Sequence, residues 1–505
     1  MASSRLASPL HDLAVMPRSA SRAPRLRYHF SGIAGAGMSP LAALMRLRGH
    51  PVQGSDRSLD QGKNEVVAAS FRALGIELYP HDGAAVTAAV DRFVHSTAVE
   101  AATPEMRAAE ALGLTRLTRP ALLAEVVGAG RPGVAIAGTS GKSTITGMLA
   151  WLLREARVPA TVIGGAALVG QGGGGCLVAG PAKGPVVAEA CESDGTLIGY
   201  RPALGVVHNV SRDHAELPSL RAQFAAFAAG CQTLFVNAAS PEAAALGLRG
   251  KTLSYGVSPE ADAPLVVERA GPDRALGTLH VEGRALTLDV PQPGLHNLEN
   301  AAAAALVALR LGLAMPTIER LMARFPGVSR RFEVVGVTRS GIRVVDDYAH
   351  NADKLRAALT TAQSGAARVV AVFQPHGFGP ARFLRPELRE LLPRLLRPQD
   401  RLCYAEIFYA GGTVAKDISS EMLADDLRAT RDCAFARDHD AARRWVAKEA
   451  RPGDTVLIMG ARDPDLPALS RSIFAVLGNE GPRDGRASPS AREAPRRRRG
   501  ASLSR

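Results

Sequence analysis

The residues Gly138–Thr144, GTSGKST, are of the types and in the order that hold a polyphosphate. Gly138 and Gly141 let the chain turn tightly, so that successive backbone N–H groups face one concavity. The apolar run that follows starts a helix, whose N-terminus adds a positive dipole. Lys142 supplies a point charge for the outer phosphates, and the Ser143 hydroxyl is an oxygen of the kind that ligates Mg²⁺. A generic Walker loop has glycine six residues before the lysine, where this chain has Ile136. The shorter G-T-x-G-K-[ST] form is matched in full, and Thr139, Ser140 and Thr144 complete a candidate ATP loop.

A second glycine-rich turn lies upstream in GIAGAGMSPLA, Gly32–Ala42. Gly32, Gly35 and Gly37 suggest a phosphate-binding turn of the dinucleotide type, although the spacing is not G-x-G-x-x-G. The tripeptide GSD, Gly54–Asp56, ends the next apolar stretch and brings an acid to where Rossmann folds grip a ribose hydroxyl. Two such turns in one chain suit a kinase or ligase that spends ATP on a nucleotide-linked substrate. An NAD-dependent oxidoreductase built on the first turn is the competing class, and it leaves Lys142 without a task.

Turns of this kind need a strand before them and a helix after them. GVAIA, residues 133–137, is apolar throughout and reads as a fully buried strand, and ITGMLAWLLREA reads as the helix that follows the loop. Similar alternation runs through three blocks, 28–127, 128–325 and 326–478. The fold class expected is α/β, with parallel layers covered by helices. The middle block also carries a Gly-rich excursion, Gly170–Gly175.

The totals narrow the function classes. A length of 505 residues allows several domains, and an apolar share of 46% suits buried parallel sheets. No apolar run reaches the ~18–20 residues of a membrane span. The five cysteines are scattered and form no C-x-x-C pair, which argues against a disulfide framework or a zinc site and for a reducing cytoplasm. The net charge of +13 is concentrated at the ends: residues 1–27 hold five Arg against one Asp, and the chain from Glu480 holds eight Arg against three acids. Both ends are rich in Ser, Pro, Ala and Arg and are expected to be disordered, as a basic leader (1–27) and an Arg-rich tail (479–505). No specific nucleic-acid partner is therefore expected. The leader lacks the apolar core of a secretory signal, and a cytoplasmic protein is expected.

Taken in order, these motifs and several weaker ones resemble the Mur ligases. The resemblance implies three domains: a Rossmann-like N-terminal domain that binds a UDP-linked substrate, a central P-loop ATPase and a Rossmann-like C-terminal domain. It implies an ATP-dependent ligase of peptidoglycan synthesis. Such an enzyme joins the carboxylate of UDP-N-acetylmuramate to an amino acid, L-alanine being the first candidate, through an acyl phosphate; a monomer or dimer is expected. Position by position, the first turn and GSD imply UDP-substrate contacts from Gly35, Ala36, Gly37, Met38, Ser55 and Asp56, joined by Ser96 and Thr97 of HSTAV. EACESDGTL implies Glu192, and HNVSRDHAEL implies His214, as Mg²⁺ ligands beside Ser143. GLHNLENAAAA brings Asn297 and Asn300 to ATP, RRFEVVG brings Arg331 to the phosphates, and DDYAHN brings Asp347 and His350 to the ribose and base. The implied catalytic set is Lys142, Glu192, His214 and Arg331, with ATP and Mg²⁺ as cofactors. On the oxidoreductase reading Glu192 and His214 would also stand idle.

The chain departs from the family in FQPHGFGPARFL, Phe373–Leu384. Members that add alanine carry two further basic residues there, at the places of Gly377 and Pro380. Asn351 also stands where a second histidine is usual. His350, His376 and Arg382 remain as the expected amino-acid pocket. An amino-acid carboxylate calls for a fixed cation, ideally a bidentate guanidinium. The acceptor is therefore open: another amino acid, a peptide as in murein recycling, or none, in a paralogue that binds substrate without turnover.

Overall fold

The computed structural model of the chain describes residues 24–97, 99–171, 175–192, 195–211, 216–248, 250–409 and 414–479. Most of the basic leader, the Arg-rich tail and His214 lie outside these residues.

Three sheets follow one another along the chain. The first has five parallel strands in the order Glu77–Tyr79, Val52–Ser55, Tyr28–Ser31, Arg92–His95, Thr115–Thr118. Tyr28–Ser31 lies in the middle and is buried along its length. It feeds the glycine turn, and Pro40 then opens the helix Ser39–Leu47, where a missing N–H costs nothing.

The second sheet has ten strands. At its parallel centre Gly133–Ala137 lies between Leu204–Val207 and Val186–Glu189, buried at every position. Its carboxyl end opens into the GTSGKST loop and the helix Lys142–Glu155. That helix packs on Leu295–Arg310, whose run Ala301–Ala305 is fully buried; small side chains let the two helices approach closely.

One end of this sheet is not the parallel layer expected. Ala263–Ala270, Ala275–Val281 and Arg284–Val290 form an antiparallel wing. Every second residue of Ala275–Val281 is buried and the rest are not, as period-two side chains on a one-sided sheet require. The third sheet runs Glu333–Val337, Arg343–Asp347, Thr455–Gly460, Val369–Gln374, Arg401–Ala405, Cys433–Ala436, and only the first strand is antiparallel.

Candidate active site

Three neighbouring parallel strands deliver the loop and three polar residues to one place. Gly133–Ala137 ends in the loop, Val186–Glu189 ends in Glu189, and Leu204–Val207 is followed by His208 and Asn209. Asn209 clamps the loop: its carbonyl accepts the Thr139 N–H at 3.0 Å and its Oδ1 accepts the Ser140 N–H at 2.8 Å. The Thr139 hydroxyl accepts in turn from the Ser211 N–H at 2.8 Å. Gly141 takes φ +84°, and a Cβ there would stand 2.4 Å from Asn300 Oδ1 and 2.8 Å from His208 Cδ2. Glycine is therefore required at this turn for space as well as for backbone conformation.

The two glutamates of EACE separate. Lys142 Nζ donates to Glu192 Oε2 at 2.7 Å and to the Gly138 carbonyl, and both charged side chains are nearly enclosed. Burial opposes the ammonium charge, but the carboxylate of Glu192 outweighs it and holds the lysine pKa above its ordinary value. Ser143 Oγ donates to Glu189 Oε2 at 3.1 Å, and Glu189 Oε1 accepts the Gly165 N–H at 2.7 Å. Ser143 and Glu192, expected to share a metal, thus take different partners in this structure. Glu192 faces the lysine, and Glu189, which ends a strand next to the loop strand, faces the serine. Its signal in the sequence was an acid closing the buried run VVAE.

Asn297 and Asn300 lie on the first turns of the helix Leu295–Arg310 and are buried. Asn300 Nδ2 donates to Asn297 Oδ1 at 3.2 Å, and Asn297 Nδ2 donates to the Pro293 carbonyl at 2.8 Å. The Asn300 Oδ1 is buried without a hydrogen-bond partner among the described residues and lies against the loop. His208 Nδ1 bonds Tyr255 Oη at 2.8 Å, and burial pushes the His208 pKa down to about 4, so the ring under the loop is neutral.

The third sheet reaches the same loop. Arg331 Nη2 donates to Ser143 Oγ at 3.1 Å, and its guanidinium lies 4.9 Å from the Tyr348 ring centre. Arg330 and Phe332, on either side, take left-handed φ of 60° and 50°, uncommon for residues with a Cβ. Asp347 holds this crank: its oxygens accept the Phe332 and Ala349 N–H groups, each at 2.7 Å. Burial raises the Asp347 pKa. Arg330 bonds Asp346 at 3.3 Å, and burial pushes that carboxyl up to about 6. Asp347, expected at a ribose, is thus committed in this structure to backbone N–H groups.

In the first sheet, Gly35 and Ala36 are exposed at the turn and Gly37 is partly exposed. The Ser55 carbonyl accepts the Gly32 and Ile33 N–H groups, and Asp56 Oδ2 accepts the Ala34 N–H at 3.0 Å while Oδ1 caps the next helix through Ser58. Two side chains of this motif turn inward. Met38 packs its side chain into the core at 2% exposure, so only its backbone faces the turn. The Ser55 hydroxyl is buried and donates to Glu105 Oε1 at 2.5 Å. Glu105 also meets His29 Nε2 and His81 Nδ1, each at 3.0 Å. Ser96 follows the strand Arg92–His95, its N–H donating to the Ser31 carbonyl at 3.2 Å, and Thr97 is exposed beside it. Sequence reasoning did not single out Arg119, whose side chain passes about 3 Å from where a Gly37 Cβ would be (3.1 Å to Cδ). A Cβ on Gly175 would strike the Ala36 carbonyl at 2.5 Å, so the first turn rests directly on the middle sheet.

His350 and His376 come together, ring centres 5.3 Å apart. Arg382 does not join them by any contact seen: it pairs with Asp417 and donates to the Ala415 carbonyl at 3.3 Å. An exposed carboxylate close at hand has claimed it.

Comparison with known proteins accords with this geometry. The Mur ligase family catalytic-domain model matches residues 27–131, the Mur ligase middle domain matches 136–308, and the Mur ligase glutamate ligase domain matches 330–462. A UDP-N-acetylmuramate–L-alanine ligase of Kineococcus radiotolerans is 38% identical, covering 86% of this chain and 93% of the relative. The protein of the same name from Arthrobacter sp. is 37% identical, covering 85% and 90%. In fold, the chain is similar to the UDP-N-acetylmuramate–alanine ligase of Thermotoga maritima, with a TM-score of 0.71 at 24% identity, covering 89% of this chain and 99% of that one. Three consecutive domain matches and relatives of this identity along most of the sequence show that the chain belongs to the Mur ligase family and is an ATP-dependent ligase.

Proposed function

We propose that the chain joins the carboxylate of UDP-N-acetylmuramate to the amine of L-alanine at the expense of ATP, in the cytoplasm, as a step of peptidoglycan synthesis. The observation that carries the reading is the meeting of Lys142, Ser143 and Arg331 at a glycine loop set on the same body as a second, UDP-type turn. Relatives bearing the name of that reaction support the substrates.

The residues present fit a triphosphate with Mg²⁺. Gly141 keeps the loop clear of a Cβ, Asn300 Oδ1 is an orphaned buried acceptor beside it, and Ser143 and Glu189 form a hard oxygen pair. Ser143 and Glu189 would hold the metal, with His214 a third candidate outside the described residues. Bound there, Mg²⁺ supplies positive charge for the phosphate oxygens. Lys142 and the N–H groups opening the helix Lys142–Glu155 orient the phosphates, and Arg331 offsets charge as the carboxylate oxygen attacks the γ-phosphorus and ADP leaves. The amine then attacks the acyl carbon, and phosphate leaves.

Acceptance of another amino acid or a peptide is the second reading, favoured by Gly377, Pro380 and the engagement of Arg382 with Asp417. Both are tested by phosphate release and product mass with UDP-N-acetylmuramate, ATP and a panel of amines. L-alanine is expected to give the highest kcat/KM. Release with no amine in the panel refutes the ligase reading.

A further inference from the structure

Three adjacent parallel strands of the third sheet end side by side. Thr455–Gly460 lies between Arg343–Asp347, where Asp347 stands opposite Met459, and Val369–Gln374, where Gln374 stands opposite Gly460. The chain leaving one outer strand carries His350, and that leaving the other carries His376. The chain leaving the middle strand carries Arg462. In open α/β sheets this carboxyl edge is where ligands bind.

Arg462 has φ +66°, a left-handed conformation disfavoured for a residue with a side chain. The backbone on both sides is pinned. The Gly460 carbonyl accepts from Arg330 at 2.7 Å, and the buried Asp463 pairs with His439 at 3.3 Å and accepts the Asp465 N–H at 2.9 Å. Arg462 itself is exposed and makes no hydrogen bond or ion pair with the described residues. A strained arginine without a protein partner, at the edge shared by His350 and His376, is a backbone position held for its side chain.

Granting the ligase reading above, on which it rests, we infer that Arg462 is the cation that takes the carboxylate of the incoming amino acid. The other cations nearby are poorer candidates. Arg382 is neutralised by Asp417. Lys416 Nζ sits over the Phe378 and Tyr409 rings, 6.0 Å and 5.3 Å from their centres. Gly377 and Pro380 supply no charge. A guanidinium gripping both carboxylate oxygens also fixes the direction of the amine, which a lysine does less well.

Steady-state kinetics of the full chain test this, with L-alanine and L-alaninamide as acceptors and the variants Arg462→Gly, Arg462→Lys and Lys416→Ala. Glycine suits a left-handed backbone, so Arg462→Gly is expected to melt no lower than wild type. Its KM for L-alanine is expected to rise by about 10- to 100-fold, as for loss of a charge-assisted bond, with the KM values for ATP and UDP-N-acetylmuramate unchanged. Arg462→Lys restores part of the loss. Alaninamide, lacking the carboxylate, responds little to any of these changes. An unaltered L-alanine KM in Arg462→Gly overturns the inference, as do equal losses with both acceptors or a loss confined to Lys416→Ala. If wild type turns over with no amine, the ligase reading falls with it; if wild type ligates L-alanine and Arg462→Gly matches it, this inference alone falls.

Discussion

Glu192→Gln separates two roles for that glutamate. Its carboxylate lies 2.7 Å from the Lys142 ammonium, with the two side chains 1% and 12% exposed. Removing one partner of such a pair leaves a buried charge and costs about 3–5 kcal/mol. Glutamine keeps an oxygen that can accept, so the lower end, about 3 kcal/mol, applies. For a middle domain of this size each kcal/mol is worth about 2–4 °C, so the thermal midpoint should fall by about 6–12 °C. In wild type a nucleotide phosphate competes with Glu192 for Lys142; in the variant it does not. A non-hydrolysable ATP analogue without Mg²⁺ should therefore bind the variant about tenfold tighter, adding about 1.4 kcal/mol to the ligand-induced stabilisation at saturation. Scanning fluorimetry and calorimetric titration, each with and without Mg²⁺, read both quantities. If Glu192 were instead a metal ligand, Mg²⁺-dependent binding would weaken while Mg²⁺-free binding stayed as in wild type. That result, or an unchanged melting point, refutes the reasoning.

Three further outcomes are expected. Glu189→Gln and Ser143→Ala should each raise the Mg²⁺ concentration for half-maximal ATP turnover by about tenfold or more, and an unaltered Mg²⁺ titration refutes their pairing as ligands. Asn209→Ala frees the Ser140 N–H from its 2.8 Å acceptor, leaving a polar group unpaired at about 1–3 kcal/mol; the KM for ATP should rise about tenfold while that for UDP-N-acetylmuramate holds. Glu105→Gln should alter stability in a pH-dependent way. Burial opposes the Glu105 charge, but the bonds from His29 and His81 win and hold its pKa far below the ordinary 4.5, so its stabilisation is present above 4.5 and lost as pH falls through the depressed value. The bond to Glu105 lifts His81 above 6.5, so that part is present below 6.5 and lost as pH rises through the raised value. The gap in melting point between wild type and variant should be widest from pH 4.5 to 6.5 and shrink above it; a gap constant from pH 5 to 9 refutes the charged cluster.

The phosphate loop was legible because strand, glycines, lysine and helix are contiguous in GTSGKST and its flanks. Glu189 and Glu192 were not separable, because three residues in EACE decide their partners only through the register of Val186–Glu189 on Gly133–Ile136. Asn209 was visible within HNVSRDHAEL, but not the fact that both its carbonyl and its side chain grip the loop. Ser55 and Met38 lie in the right motif, yet a strand buried on both faces and the packing of the helix enclose their side chains. The antiparallel wing was readable in the alternation of ALGTLHV and was masked by the stronger βα rhythm around it. Arg119 reaches Gly37 from a helix some eighty residues downstream, a contact that spacing cannot signal.

Arg331, His350 and His376 hang from one and the same sheet, whereas Lys142 belongs to another. On the proposed reaction, activation and delivery are therefore interlocked: the body that would present the amine would also contribute the guanidinium that helps expel ADP. A chain whose last sheet is absent or unseated lacks both at once. On that reading, idle burning of nucleotide would be held down by architecture. A hybrid enzyme made by exchanging this sheet between relatives would carry its own trigger along with its own choice of amine.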